Sequence, residues 1–347
     1  MTAEEGPGGA RDTGAGAKTG SETGAAPSAR RRRFTRRAAL GIGGAGAAAA
    51  VIAPTLRSRA AEAAHPPIGR FVDADGVRLH VVDEGPADDP APVVLIHGAS
   101  GNVRDFTFAF SARLAARGRR VLAVDRPGFG YSERGPRAEP GPGAQARMMR
   151  AAVARLGVGG GGGAARAVIV GHSLGAAPAL AWALDAPESV RGVLSLAGVS
   201  HPWPGGVDAI YHWARAPVAG RLVSAAVGAL YSGEATKTAV AGIFAPQAPP
   251  PGYMDYVGVG LALRPSTFRH NAEDIAGLKA RVAEQARRYA TLAVPVEVVH
   301  GAADRIVYAE IHAAGMARDA PEARVSVLDG VGHMPHHAAP EAVLAAI

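Results

Sequence analysis

A serine between two glycines is the residue best placed in this sequence for covalent chemistry. Ser173 lies between Gly171 and Gly175. The apolar run 167–170 precedes them and an alanine-rich segment follows, which predicts a strand, a sharp turn and a helix with the serine at the turn. Only glycine leaves room for the neighbouring backbone in such a turn. The turn would hold the hydroxyl clear of the sheet and direct the backbone N–H of Leu174 towards an oxyanion.

The segments around this turn alternate between strands and helices. Residues 71–82 flank Asp75-Gly76 with alternating apolar and polar side chains, which predicts a β-hairpin. Further strands, apolar at most positions, are predicted at 93–96, 121–124, 167–170, 193–197, 296–299 and 325–328. Such runs are typical of strands buried on both faces, with helices between them. The pattern indicates an α/β fold with a doubly wound, mostly parallel sheet.

The stretch from about 200 to 290 differs from the rest of the chain. It is rich in proline, glycine and aromatic residues, and helices are predicted near 206–232, 234–243 and 271–290. An insertion of this length between two strands indicates a helical cap over the active site. The alternative is a pair of long crossover connections.

Four motifs make residues 70–347 resemble a serine hydrolase of the α/β-hydrolase superfamily. They are His97-Gly98, the run 125–130, the 171–175 turn and a C-terminal pair, Asp304 and His333. The resemblance implies the α/β-hydrolase fold. It leaves the substrate open, because this scaffold also hosts lipases, haloperoxidases, dehalogenases, epoxide hydrolases and C–C bond hydrolases.

The resemblance also implies a chain order of serine, acid and histidine for the catalytic residues. Asp304 follows the strand 296–299 and matches the acid, and His333 follows the strand 325–328 and matches the base. His333 would accept the Ser173 proton, and Asp304 would orient the imidazole. Asp329 is nearer His333 in sequence, but its position at a strand end favours a turn former.

A second oxyanion donor is expected from the loop that follows His97-Gly98. The backbone N–H of Ala99 is the first choice and that of Ser100 the alternative. His97 and Asp125 are expected to brace their loops rather than to take part in the reaction.

No metal or cofactor is expected. His333, His336 and His337 could suggest a metal cluster, but Pro335 breaks the helical spacing between them and no acid lies in register. The chain has no cysteine, which excludes thiolate chemistry, disulfides and Cys-ligated metals. The net charge of +7 lies largely in residues 1–64, so the remaining chain offers no basic stripe for nucleic acid.

The pattern of the first 64 residues predicts a leader. Arg36 and Arg37 precede the charge-free run 38–56 and resemble a twin-arginine export signal, and the small residues at 61–64 would provide a cleavage site. The expected organisation is therefore a leader with a disordered start at 1–64 and a hydrolase domain at 65–347. The export machinery would be a partner, and the protein would be periplasmic or extracellular. An uncleaved membrane anchor and a basic disordered tail are the alternatives.

Dehalogenases and epoxide hydrolases on this scaffold use an aspartate nucleophile. A serine in that position instead favours attack on an acyl carbon and formation of an acyl-enzyme. The expected function is hydrolysis of a carboxylic ester of a small to medium, largely apolar substrate. A cofactor-free haloperoxidase or perhydrolase, in which peroxide intercepts the acyl-enzyme, would use the same residues. From another class, a binding protein with a vestigial triad is the remaining alternative.

Overall fold

The computed structural model describes residues 53–135, 141–159, 165–216, 219–230 and 233–347. The first of these segments begins with helix α1, residues 53–64. The arginine pair and the charge-free run as far as residue 52 lie outside the described residues. Within the described ranges, every helix is too short or too polar to cross a membrane.

The sheet begins with the hairpin that the alternating pattern predicts. Strands β1 (Arg70–Ala74) and β2 (Val77–Glu84) pair in antiparallel fashion. Asp75 and Gly76 form the turn with φ values of 56° and 84°, the left-handed conformation that an Asp-Gly hairpin turn requires.

The other strands run parallel to one another. They are β3 (Val93–Ile96), β4 (Val121–Val124), β5 (Ala167–His172), β6 (Val190–Leu196), β7 (Val296–Gly301) and β8 (Arg324–Leu328). The order across the sheet is β1-β2-β4-β3-β5-β6-β7-β8, with β2 antiparallel to β4. The predicted mostly parallel sheet is confirmed. The order reverses at β3, and ligand sites of open α/β sheets lie at the carboxyl ends of strands near such a point.

Helices cover both faces of the sheet because successive side chains of a buried strand point to opposite sides. In β3, Val94 and Ile96 belong to one apolar cluster, whereas Val93 and Leu95 belong to the other. Helices α2 (Arg104–Thr107) and α3 (Phe110–Ala115) lie on the Leu95 side. Helices α4 (Pro142–Ala154) and α5 (Ala176–Asp185) lie on the Ile96 side. The sheet is therefore doubly wound.

In the described part of the stretch between β6 and β7, six helices form the predicted cap. They are α6 (Ala209–Ala214), α7 (Ala219–Leu230), α8 (Glu234–Phe244), α9 (Tyr253–Val257), α10 (Val259–Ala262) and α11 (Pro265–Ala286). The long helix α11 begins earlier than expected, because Pro265 occupies its first turn, where a missing N–H costs no hydrogen bond. After β7 come α12 (Ala309–Asp319), β8, α13 (Pro335–Ala338) and α14 (Pro340–Ala345).

Helix α1 contacts the cap through polar bonds. Arg57 donates to the carbonyl of Gly228 at 3.0 Å, and Glu62 pairs with Arg264 at 2.8 Å. Just after the helix, His65 Nε2 lies 2.8 Å from the carbonyl oxygen of Asp255. The boundary predicted between residues 64 and 65 thus falls at the end of a helix that packs against the hydrolase domain.

Candidate active site

The turn after β5 holds Ser173 in a strained conformation. Its φ is 54°, a region that few residues other than glycine adopt. A Cβ at Gly171 would lie 2.4 Å from the carbonyl oxygen of Gly175, and one at Gly175 would lie 2.4 Å from that of Ile96. Both glycines are therefore required by the close approach of neighbouring backbone, as the sequence pattern predicts.

Ser173, His333 and Asp304 form one hydrogen-bonded chain. The Oγ of Ser173 lies 2.9 Å from Nε2 of His333, and Nδ1 of His333 lies 2.7 Å from Oδ2 of Asp304. Because the carboxylate can only accept, Nδ1 carries the proton and Nε2 is left to accept from the serine hydroxyl. The three residues come from the ends of β5, β7 and β8, which bring them to one edge of the sheet.

Asp304 is held in its charged form by its surroundings. Burial raises its pKa, but hydrogen bonds from His300 and His333 outweigh that effect and hold the pKa below its usual range. The backbone N–H groups of Ile306 and Val307 also donate to Oδ1, at 2.8 Å and 3.0 Å. A charged carboxylate in this position favours the imidazolium that forms when His333 accepts a proton.

The loop after β3 lies against Ser173. A Cβ on Gly98 would lie 2.9 Å from that of Ser173, and Ala99 lines a cavity that opens beside Ser173. The backbone N–H of Ser100 donates to Oδ1 of Asn271 at 2.9 Å, so it is already engaged. This favours Ala99 over Ser100 as the second oxyanion donor, beside Leu174. Both assignments remain predictions.

Two buried groups hold this loop in place. His97 bonds the carbonyl of Gly98 through Nδ1 at 2.9 Å and accepts the backbone N–H of Arg126 at Nε2, at 3.0 Å. Burial lowers the pKa of His97 to about 4, so the ring is neutral and each nitrogen has one fixed role. The guanidinium of Arg126 donates to the same Gly98 carbonyl at 3.1 Å and to Asp274 at 2.9 Å. His97 is thus a bracing residue.

A cavity of about 500 Å³ opens beside Ser173 and His333. Most of its lining is apolar and comes from the cap, including Val240, Phe244 and Leu263. This volume suits a small to medium ligand.

Asp105 is the centre of a buried cluster that sequence reasoning missed. Its carboxylate accepts from the hydroxyl of Tyr253 at 2.8 Å, and the Nε2 atoms of His337 and His336 lie 2.9 Å and 3.2 Å away. Burial raises the pKa of Asp105, but its histidine neighbours hold it well below the usual range. Burial also lowers the pKa of His336 to about 4.

The ligating atoms of Asp105, His336 and His337 lie within 4.8 Å of one another, so these three residues could hold a metal ion. The acid that appeared to be missing near the two histidines comes from α2, more than 200 residues earlier in the chain. Only the tertiary structure shows this proximity, because no local spacing relates the two segments.

The family described as "alpha/beta hydrolase fold" matches residues 91–340. This range covers most of the chain and includes every residue of the hydrogen-bonded chain above. The protein therefore belongs to the α/β-hydrolase family.

Several of the proteins that the chain resembles in sequence are named as hydrolases. The chain is 34% identical over 149 residues to 2-hydroxymuconate semialdehyde hydrolase from Pseudomonas sp. (strain CF600), covering 42% of this chain and 50% of that protein. It thus spans about half the length of the curated relatives that it matches first.

Solved structures resemble this protein over about 80% of its chain. The esterase EaEST from Exiguobacterium antarcticum superposes with a TM-score of 0.61 at 20% identity, covering 80% of this chain and 96% of that one. A bromoperoxidase from Bacillus anthracis gives a TM-score of 0.62 at 18% identity, covering 80% and 98%. At these identities the likeness concerns the fold alone.

Proposed function

We propose that the protein is a serine hydrolase that cleaves a carboxylic ester through an acyl-enzyme on Ser173. The observation that carries the proposal is the hydrogen-bonded chain from Ser173 through His333 to Asp304, placed beside an apolar cavity. Family membership supports hydrolase chemistry.

The reaction follows from this geometry in two halves. As the Oγ of Ser173 attacks the ester carbonyl, Nε2 of His333 takes its proton, and the N–H groups of Leu174 and Ala99 bind the oxyanion. The intermediate collapses when His333 returns the proton to the departing alcohol. Water then attacks the acyl-enzyme with His333 as the base, and the carboxylic acid leaves as Ser173 regains its proton.

A peroxide-dependent activity is the second candidate, because peroxide could replace water in the second half on the same residues. The relative that hydrolyses 2-hydroxymuconate semialdehyde supplies a further substrate to test. The deciding experiment is a panel of p-nitrophenyl esters of increasing chain length, with and without peroxide and halide, run beside that semialdehyde. Ester turnover that peroxide does not increase supports the proposal. Turnover of the semialdehyde alone, or dependence on peroxide, would replace it.

We further propose that residues 1–64 direct export. The arginine pair, the charge-free run and the small residues after it support this role. Changing Arg36 and Arg37 together to lysine should retain the protein in the cytoplasm of a host with the twin-arginine route, and the same change at Arg32 and Arg33 is the parallel control.

N-terminal sequencing of the exported fraction then tests cleavage. A mature chain that starts near His65 supports cleavage and loses helix α1 with its bonds to the cap. An intact N-terminus in the membrane fraction indicates an anchor. Soluble full-length protein in the cytoplasm would refute export.

A further inference from the structure

The loop after β3 contains a strained residue to which the proposed reaction gives no role. Ser100 has a φ of 53°, and it is one of four non-glycine residues with a positive φ in the described part of the chain. Ser100 and Ser173 are the two of these four that line the cavity. Such strain persists only where the surrounding structure imposes it. The strain at Ser173 presents the nucleophile, so the strain at Ser100 needs a separate explanation.

The backbone signs in this loop are those of a type II β-turn. The N–H of Gly101 donates to the carbonyl of Gly98 at 3.4 Å, and of the two residues between them Ser100 has a positive φ whereas Ala99 does not. A type II turn favours glycine at the position that Ser100 occupies. A serine there favours the type I turn instead, in which the peptide between Ala99 and Ser100 is rotated by about 180°. Another group must therefore hold this peptide in place.

Asn271 is in position to hold it. Its Oδ1 accepts the backbone N–H of Ser100 at 2.9 Å, and its side chain is buried. In the rotated peptide a carbonyl oxygen would replace that N–H and would face Oδ1, which is also an acceptor. The Nδ2 of Asn271 is buried without a hydrogen-bond partner, which destabilises a fold. Stability alone therefore explains Asn271 poorly, whereas its contact with the strained turn gives it a role.

The residue before Ser100 is the second oxyanion donor of the proposed mechanism. Among the described residues, no group accepts from the N–H of Ala99. The peptide before Ala99 is fixed by two buried side chains that donate to the carbonyl of Gly98. The peptide after Ala99 is fixed by Asn271 through the N–H of Ser100. The position of the Ala99 N–H therefore depends on both neighbouring peptides.

We propose that Asn271 is a positioning residue, which holds Ser100 in the strained turn and so keeps the N–H of Ala99 directed at the oxyanion. The inference rests on the proposed acyl-enzyme reaction and adds a residue of the cap to it. Without the acceptor of Asn271, Ser100 adopts a negative φ and Ala99 is displaced. Because the oxyanion forms only as the reaction proceeds, this displacement weakens binding of the transition state more than binding of the substrate.

A double-mutant cycle separates this role from a general loss of structure. Asn271→Leu keeps the approximate size of the side chain but removes the acceptor, so kcat for p-nitrophenyl butyrate should fall about 10- to 100-fold with KM changed by less than about threefold. Ser100→Gly removes the penalty on a positive φ, so in that background Asn271→Leu should lower kcat by no more than about threefold. An equal loss of kcat in both backgrounds, or a loss seen in KM alone, would overturn the proposal. If Asn271→Leu does not fold, Asn271→Ala takes its place in the same cycle.

The rate at which a fluorophosphonate labels Ser173 gives the same comparison without an ester substrate. The same pattern in labelling rates, without turnover of any ester, would refute the proposed ester hydrolysis and support the role of Asn271. If the probe does not label Ser173 at all, the proposed nucleophile is refuted, and a crystal structure of Asn271→Leu decides the role of Asn271. A negative φ at Ser100 in that variant supports the proposal, and an unchanged positive φ overturns it.

Discussion

Among the residues that the structure describes, two hydrogen-bonded chains of serine, histidine and aspartate side chains invite comparison, one beside the cavity and one away from it. In the second chain, Oγ of Ser200 lies 2.8 Å from Nδ1 of His201, and Nε2 of His201 lies 3.1 Å from Oδ2 of Asp319. These distances are close to those of the chain that includes Ser173. The ring is reversed, however, since Ser200 contacts Nδ1 whereas Ser173 contacts Nε2.

The difference between the two chains lies in the surroundings of the serine. Ser200 is fully buried, and its hydroxyl lies 3.1 Å from the carbonyl of His312, to which it can donate. Ser173 lies at a strained turn beside a cavity, next to the Gly98 loop. A hydrogen-bonded chain of the right residue types therefore does not by itself give a serine access to a cavity or a strained position at a turn.

Replacing each serine by alanine gives the largest expected contrast. Ser173→Ala should lower kcat for ester hydrolysis by about 10⁶-fold, because the attacking oxygen is lost. Ser200→Ala should leave kcat within about twofold, while the loss of its buried hydrogen bonds lowers the free energy of unfolding by about 1 kcal/mol.

A fluorophosphonate probe and denaturant unfolding provide the measurements for this pair. The probe should label the wild type and Ser200→Ala, and fail to label Ser173→Ala. Labelling of Ser200, or full turnover by Ser173→Ala, would refute the assignment of the nucleophile.

The two histidines should differ in the same sense. His333→Ala should lower kcat by about 10⁴-fold or more, because it removes the general base. The variant should still fold. His201→Ala should have little effect on kcat. A mild loss at His333 together with a large loss at His336 or His337 would mean that the base is misassigned.

Crowding of the serine should have a smaller but measurable effect. Gly98→Ala would bring a methyl group to 2.9 Å from Cβ of Ser173, so the loop or the serine must shift. We expect kcat to fall about 10- to 100-fold, because catalysis is sensitive to displacements of this size. Gly206→Ala is the control, since a Cβ there meets nothing within 4 Å. Equal activity of the two variants would contradict a close packing of the loop on Ser173.

The acids of the two chains should differ in their contribution to stability at low pH. The pKa values of Asp304 and Asp319 are both lowered in the folded protein, Asp304 by hydrogen bonds that outweigh burial and Asp319 chiefly by Arg318. A carboxyl whose pKa is lowered by folding stabilises the folded protein at pH values above its unfolded-state pKa of about 4. This stabilisation is lost as the pH falls below that value. Asp304 is fully buried whereas Asp319 is partly exposed, so solvent screens the interaction of Asp319 with His201 more than that of Asp304 with His333.

Unfolding of Asp304→Asn and Asp319→Asn at pH 7 and pH 3 tests this expectation. Wild type should lose stability between the two pH values. Asp304→Asn should remove about 1 kcal/mol of that loss, and Asp319→Asn clearly less. The reverse order would show that the exposed pair carries more of the pH dependence.

The parts of the site that the sequence predicts are those set by local order. The turn at Ser173 follows from two glycines and a preceding apolar strand, and Asp304 and His333 each follow a strand that ends at the same edge of the sheet. Contacts between distant segments have no such signal. Asp105 meets His336 and His337, and Asn271 meets Ser100, only after the cap and the C-terminal helices have packed.

Helix α11 limits how freely this scaffold can be diversified. Asn271 and Asp274 both lie on that helix, yet they bond Ser100 and Arg126 in the loops beside the serine. An exchange of the entire insertion between related hydrolases, in evolution or by engineering, would therefore replace two supports of the loops beside Ser173 together with the walls that the cap gives to the cavity. Helices α6 to α8 line the cavity through residues such as Tyr211, Val227 and Val240. New substrate ranges are thus more readily reached by recombination that ends before Pro265 than by transfer of the complete segment.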